Sequence, residues 1–83
     1  MPTTRLLIQC FEPEACEVAF EPWGAVHTLL REDSFTVEIS GPGDGLVEVG
    51  YSPGWISVCA WIGDDGSVAE VTARNERGES LRM

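Results

Sequence analysis

Apolar and polar residues alternate along much of this chain, and this pattern constrains the fold more than any other feature. The clearest case is the run Phe35-Thr36-Val37-Glu38-Ile39, in which two polar residues separate three apolar ones. Successive side chains of a β-strand point to opposite faces of its sheet, so alternation indicates strands with one buried face. Similar runs recur at intervals of about ten residues, separated by glycine, proline and acidic residues. We therefore expect residues 1–83 to form a single all-β domain.

The alternating runs predict seven or eight short strands in a small antiparallel β-sandwich or a partly open β-barrel. Glycine, proline and aspartate favour tight turns at 41–45, 52–54 and 63–66, and the last of these predicts a hairpin. Residues 55–62 are nearly all apolar, which predicts a central strand with both faces covered. The predicted strands cover residues 4–10, 16–21, 25–31, 34–40, 46–51, 55–62, 68–74 and 79–83. Their apolar positions predict a core of Leu6, Ile8, Val18, Phe20, Phe35, Val37, Ile39, Val47, Val49, Ile56, Val58, Ile62 and Val71.

The charge balance limits the partners that the protein can bind. Fourteen acidic side chains face five basic ones, which gives a formal net charge of −9. Such a surface repels phosphate backbones, so we expect no direct binding of nucleic acid. Basic proteins are attracted instead. We therefore predict an acidic binding or accessory domain that acts through protein–protein contacts, with a homodimer as a further assembly that exposed sheet edges allow.

The cysteines predict a reducing environment. The chain has three, Cys10, Cys16 and Cys59, so a full disulfide framework is excluded although a single bridge is not. Buried free thiols are the expected state. The apolar run that follows Arg5 is too short for a signal peptide, and no stretch is long enough to span a membrane. These features together predict a cytoplasmic protein.

The residues offer little for catalysis. His27 is the only histidine, and no nucleophile motif accompanies it, so a structural role is expected and we predict no enzyme. The absence of any Cys-x-x-Cys pair argues against a structural zinc site. Gly24 and His27 match the first cupin motif only in part, because Leu29 stands where a second histidine ligand is needed. A metal-binding cupin is thus excluded, a small metal-free cupin-like ligand-binding domain remains an alternative, and no cofactor is expected.

Aromatic residues give the best indication of a binding surface. In the strand 55–62, Trp55 and Trp61 share one face with Ser57 and Cys59, whereas the other face is purely aliphatic. Tryptophan is enriched at interaction hot spots, although small domains also use it to fill thin cores. The predicted binding residues are Trp23, Trp55, Trp61 and Tyr51.

An acidic β-domain could also imitate nucleic acid and inhibit a basic protein. Outward strand positions carry glutamates whose spacing of about 7 Å along a strand is close to that of phosphates along DNA. Sheets that align these side chains would form one negative face. The residues concerned are Glu17, Glu21, Glu38, Glu48 and Glu70.

Short motifs resemble those of small uncharacterised actinobacterial all-β proteins. The run Glu21-Pro22-Trp23-Gly24 is similar to a loop in those proteins, and residues 33–37 (Asp-Ser-Phe-Thr-Val) follow it as an acidic turn and a Phe-x-Val strand do there. Residues 61–63 with Val68, and residues 78–81, are also similar. The resemblance spans residues 18–81 and implies an actinobacterial source and a small β-fold. It implies no activity and no site residues.

Overall fold

The computed structural model describes residues 3–41, 46–60, 66–67 and 69–83. Within them the chain forms seven β-strands in two sheets, which confirms the predicted all-β sandwich class. A three-stranded sheet has the order β1-β4-β7, and a four-stranded sheet has the order β3-β2-β6-β5. The strands are β1 (Thr3–Gln9), β2 (Ala15–Glu21), β3 (Ala25–Leu30), β4 (Ser34–Ser40), β5 (Glu48–Ser52), β6 (Trp55–Cys59) and β7 (Glu70–Arg74).

The chain crosses repeatedly between the two sheets. Strands β1, β4 and β7 form the three-stranded sheet, and the hairpins β2–β3 and β5–β6 between them form the other. The predicted turn at 52–54 connects β5 to β6, where Gly54 has a φ of 75° that suits glycine. One pairing differs from the purely antiparallel expectation, because β2 and β6 run parallel. The two hairpins meet through these strands, and neither strand is the other's neighbour in sequence.

Two of the predicted elements differ in the structure. The described strands on either side of the hairpin expected at 63–66 do not pair with each other, because β6 pairs with β2 and β5 whereas β7 pairs with β4 in the other sheet. Glycine and aspartate favour a turn equally in a hairpin and in a connection between two sheets, so the sequence alone could not distinguish the two arrangements. The strand expected at 79–83 is reduced to one bridge between Ser80 and Arg74. The predicted turn at 41–45 lies largely outside the described residues, as does most of 63–66.

The core lies between the sheets and follows the predicted positions closely. Leu6, Val47, Ile56 and Val71 are half-buried and pack against it. Val49 is an exception, since 56% of its surface is exposed, and Ile62 lies outside the described residues. The predicted core residues that are buried are Ile8, Val18, Phe20, Phe35, Val37, Ile39 and Val58. The structure adds Cys10, Cys16, Leu29, Ala60, Ala69 and Ala73 to this core cluster.

A disulfide replaces two of the expected free thiols. Cys10 and Cys16 are bonded to each other, with 5.9 Å between their Cα atoms, and only Cys59 is free. Both bonded residues are buried. Cys10 directly follows β1 and Cys16 lies at the start of β2, so the bond joins the two sheets at one end of the sandwich. The spacing of three cysteines in the sequence could not reveal which two meet.

The last residues of the chain close one side of the sandwich. After a turn at 75–79, Leu81 donates its main-chain N–H to the carbonyl of Ala73 in β7, at 2.8 Å. The Nε2 atom of His27 in β3 lies 2.6 Å from the main-chain carbonyl oxygen of Arg82. Residues 80–83 therefore connect the β7 edge of one sheet to the β3 edge of the other. We call this the closed side.

Candidate functional site

The opposite side of the sandwich has an open groove between β1 and the β5–β6 hairpin. Its volume is about 260 Å³, and its surface is mainly apolar. Here the edge strand of the three-stranded sheet faces the edge strand of the four-stranded sheet, and nothing among the described residues bridges them as residues 80–83 do on the closed side. The residues that line this open groove are Leu6, Leu7, Ile8, Gln9, Val49, Tyr51, Ile56 and Val58.

Strand β5 presents its inward face to solvent. Val49 is paired with Val58, and Tyr51 with Ile56, and residues opposite each other on neighbouring strands project to the same face. Val58 is buried in the core, so Val49 and Tyr51 also point inward. Even so, 56% of Val49 and 69% of Tyr51 are exposed. The cause is the unequal number of strands, because a sheet of three cannot cover a sheet of four.

One hydrogen bond crosses the end of the groove. The hydroxyl of Tyr51 donates to Oε1 of Glu12 at 3.0 Å, and Glu12 belongs to the disulfide-closed loop between β1 and β2. This hydrogen bond and the negative charge of the carboxylate raise the pKa of the Tyr51 phenol above its ordinary value. The contact fixes the tyrosine ring at the rim and places an acidic group there.

The three predicted binding residues that the structure describes, Trp23, Trp55 and Tyr51, do not form one patch. Trp55 is paired with Ser52, one position out of step with Tyr51, so these two aromatic side chains lie on opposite faces of the four-stranded sheet. Trp55 is 42% exposed, which shows that the outer face of β6 is not covered as expected, although the strand is central in its sheet. Trp23 lies in the turn between β2 and β3 and is 39% exposed. Trp61 lies outside the described residues.

Sequence reasoning missed the residues that make the groove apolar. The alternating pattern predicts that Val49 belongs to the core, which is correct about the face it occupies but wrong about its burial. Leu7, which is 65% exposed, lies on an outward position of β1. It interrupts the alternation of that strand, and this break is the one signal that the sequence offered.

The glutamates proposed as a phosphate-like row are divided between two surfaces. Glu38 and Glu70 belong to the three-stranded sheet, whereas Glu17, Glu21 and Glu48 belong to the four-stranded one. The Thr28 hydroxyl donates to Glu17 at 3.1 Å, so this carboxylate already has a partner within its sheet. The five side chains therefore do not align on one face.

His27 is held in a structural environment. Its ring meets Phe20 and Phe35 edge to face, with centroids 6.0 and 6.5 Å away. Because a carbonyl oxygen only accepts, Nε2 must donate the hydrogen bond to Arg82. Both its packing and its hydrogen bond serve the closed side. Among the described residues, no three histidine, cysteine or acidic side chains cluster as metal ligands would.

Comparison of the chain with protein-family models, curated protein sequences and solved structures gives no match. The resemblance to actinobacterial proteins thus stays a prediction. In the part of the chain that the structure describes, no helix has the length and apolar character needed to span a membrane.

Proposed function

We propose that this protein is a non-catalytic binding domain that holds a protein partner in the open groove. The observation that carries the proposal is the exposed inward face of β5. Val49 and Tyr51 lie on the core-facing side of their sheet, yet the opposite sheet does not cover them. A concave apolar surface with a polar rim is typical of binding sites. Tyrosine at such a rim combines large apolar area with a hydrogen-bonding group, as interaction hot spots do.

The charge of the protein favours a basic partner. A net charge of −9 speeds the encounter with a basic protein and disfavours acidic ones. An acidic residue also lies at the rim of the groove, where Glu12 accepts the hydrogen bond from Tyr51 near the end of β5. The structural role of His27 on the closed side supports a function without catalysis.

The cytoplasmic location is part of the proposal and now has a direct test. Disulfides persist mainly in oxidising compartments, so the Cys10–Cys16 bond bears on where the protein works. Thiols can be alkylated at the moment the source cells are lysed, and the chain weighed by mass spectrometry. A cytoplasmic protein kept reduced gives three alkylated cysteines. A single alkylated cysteine indicates an intact disulfide and contradicts the simple cytoplasmic assignment.

The binding function can be tested with a phage-displayed library of short random peptides. Selection on the wild-type protein should enrich peptides with apolar residues and lysine or arginine. Val49→Asp adds a charge to the groove and should weaken their binding by at least about tenfold. Val26→Asp is the matched control, because Val26 is 48% exposed on the outer face of edge strand β3. Its binding should match the wild type.

Two results would contradict the proposal. One is a library that yields no enriched peptide on a correctly folded wild-type protein. The other is a set of enriched peptides that bind the Val49→Asp variant as well as the wild type, which would place the binding surface elsewhere. Circular dichroism of all three proteins confirms that the folds are equal.

A further inference from the structure

Among the described residues, strand β1 has one hydrogen-bonding edge that no other strand covers, and that edge borders the open groove. Within them β1 pairs with β4 alone, and the other end of its sheet, β7, is bordered by residues 80 and 81. An edge strand presents unpaired N–H and C=O groups that can pair with another strand. The three-stranded sheet is thus open to extension at β1.

A fourth strand beside β1 would lie over the part of β5 that is now exposed. Neighbouring strands are about 4.8 Å apart and packed sheets about 10 Å apart, so an added strand would occupy the space above Val49 and Tyr51. A strand added to the free edge of β5 would lengthen the four-stranded sheet and leave the inward face of β5 uncovered. Only addition at β1 brings the two sheets to equal width and buries the groove.

We propose that the partner binds as an extended segment that pairs with β1 and becomes the fourth strand of its sheet. This inference rests on the proposed function and specifies how that partner is held. Main-chain hydrogen bonds to β1 supply affinity, and alternate side chains of the segment fill the groove. The segment therefore has apolar residues at every second position, where they meet Val49, Tyr51 and Ile56.

Charge selects this occupant over a second copy of the chain. Each copy carries a net charge of −9, so two copies repel each other. Glu12 lies at the groove rim beside Tyr51 and suits lysine or arginine at the nearby end of an added strand. The occupant is an alternately apolar segment of another protein with a basic residue at that end.

The test uses the tightest peptide from the library in two N-methylated forms. In one form the methyl groups replace every second main-chain N–H, and in the other they replace the alternate set. A strand directs alternate N–H groups to opposite edges, so only one set faces β1. We expect one form to lose about a hundredfold or more in affinity and the other to stay close to the parent peptide.

Amide hydrogen exchange followed by NMR identifies the protein edge that pairs. Peptide binding should slow exchange at alternate amides of β1 and leave the edge amides of β5 unchanged. Slowed exchange along β5, or equal affinity of both methylated forms, would overturn strand pairing at β1 while groove binding still stands. A peptide-free dimer in sedimentation, formed through the same edge, would replace the proposed occupant with a second copy. Peptides insensitive to Val49→Asp would instead refute the proposed function itself.

Discussion

The two sides of this sandwich are both formed by edge strands of the two sheets, but only one side is covered by a further segment of the described chain. On the closed side, residues 80–83 run between β7 and β3, with a hydrogen bond to each strand. On the open side, β1 and β5 face each other across an apolar groove, which the Tyr51–Glu12 hydrogen bond crosses at one end and over which no run of the described residues lies. Inward side chains are buried on the closed side, as Leu29 shows, and exposed on the open side, as Val49 shows.

This difference would separate the part of the domain that stabilises the fold from the part that we propose binds a partner. A folded chain of this size has only a thin core, so leaving apolar side chains exposed forgoes stabilisation that the fold could use. The closed side recovers that stabilisation with its own chain end. On the open side the described residues leave the inward face of β5 uncovered, and this exposed face is the physical basis of the proposed function.

The largest expected contrast comes from one substitution made at a covered and at an uncovered position. Val37→Ala removes a fully buried side chain and should lower the free energy of unfolding by about 2 to 3 kcal/mol. Val49→Ala should change the free energy of unfolding by less than about 0.5 kcal/mol, because the Val49 side chain is already exposed to solvent. Urea denaturation measures both. Equal losses would mean that the open side is packed like the core.

Removing the disulfide is expected to have the next largest effect. The double variant Cys10→Ala/Cys16→Ala should lose about 2 kcal/mol, since the bond closes a short loop in the unfolded chain. The control is Cys59→Ala, which removes the free thiol and should cost less than about 1 kcal/mol. If the double variant unfolds at the same urea concentration as the wild type, the bond does not hold the sheets together.

The histidine on the closed side should contribute less than the disulfide. His27→Ala removes one hydrogen bond and two edge-to-face aromatic contacts, which should cost about 1 to 2 kcal/mol. It should also speed amide exchange at Leu81. Arg82→Ala is the control, because the hydrogen bond uses the main-chain carbonyl of Arg82 and survives the change. If the two variants have the same stability and the same amide exchange at Leu81, His27 does not help to hold the closed side together.

The smallest effect concerns the titration of Tyr51 at the groove rim. Ionisation would place a second negative charge beside Glu12, so the phenol should titrate above its ordinary pKa. Glu12→Gln should move this pKa back toward 10, whereas the control Glu14→Gln should leave it where it is. Ultraviolet titration reports this group cleanly, since Tyr51 is the only tyrosine. An identical titration in both variants would contradict the contact.

Local patterns predicted the strands well because alternation reflects which face of each strand is buried. The run at 34–40 became β4 with the same bounds, and the side chains of Phe35, Val37 and Ile39 are buried as expected. Sheet membership depends instead on contacts between distant segments. The parallel pairing of β2 with β6 has no local signal, and neither does the separation of β6 from β7.

The binding site was harder to predict for the same reason. Alternation correctly gave the face of Val49 but could not show that the opposite sheet stops one strand short. Of the predicted binding residues that the structure describes, Tyr51 alone lines the groove. The sequence predicts that Tyr51 and Trp55 share one binding surface. The register of β5 against β6 shows instead that they lie on opposite faces of the sheet.

The measurement that tests this account most directly is the exposure of side-chain methyl groups to a dissolved paramagnetic agent, followed by NMR. We expect strong broadening of the Val49 and Leu7 methyl signals, which are exposed, and little broadening of those of Val58 and Leu29, which are buried. That result would establish that the apolar surface of the open side is exposed in solution. Protection of the Val49 methyl groups equal to that of Val58 would show that the groove is already covered, and would contradict both the comparison and the proposed binding site.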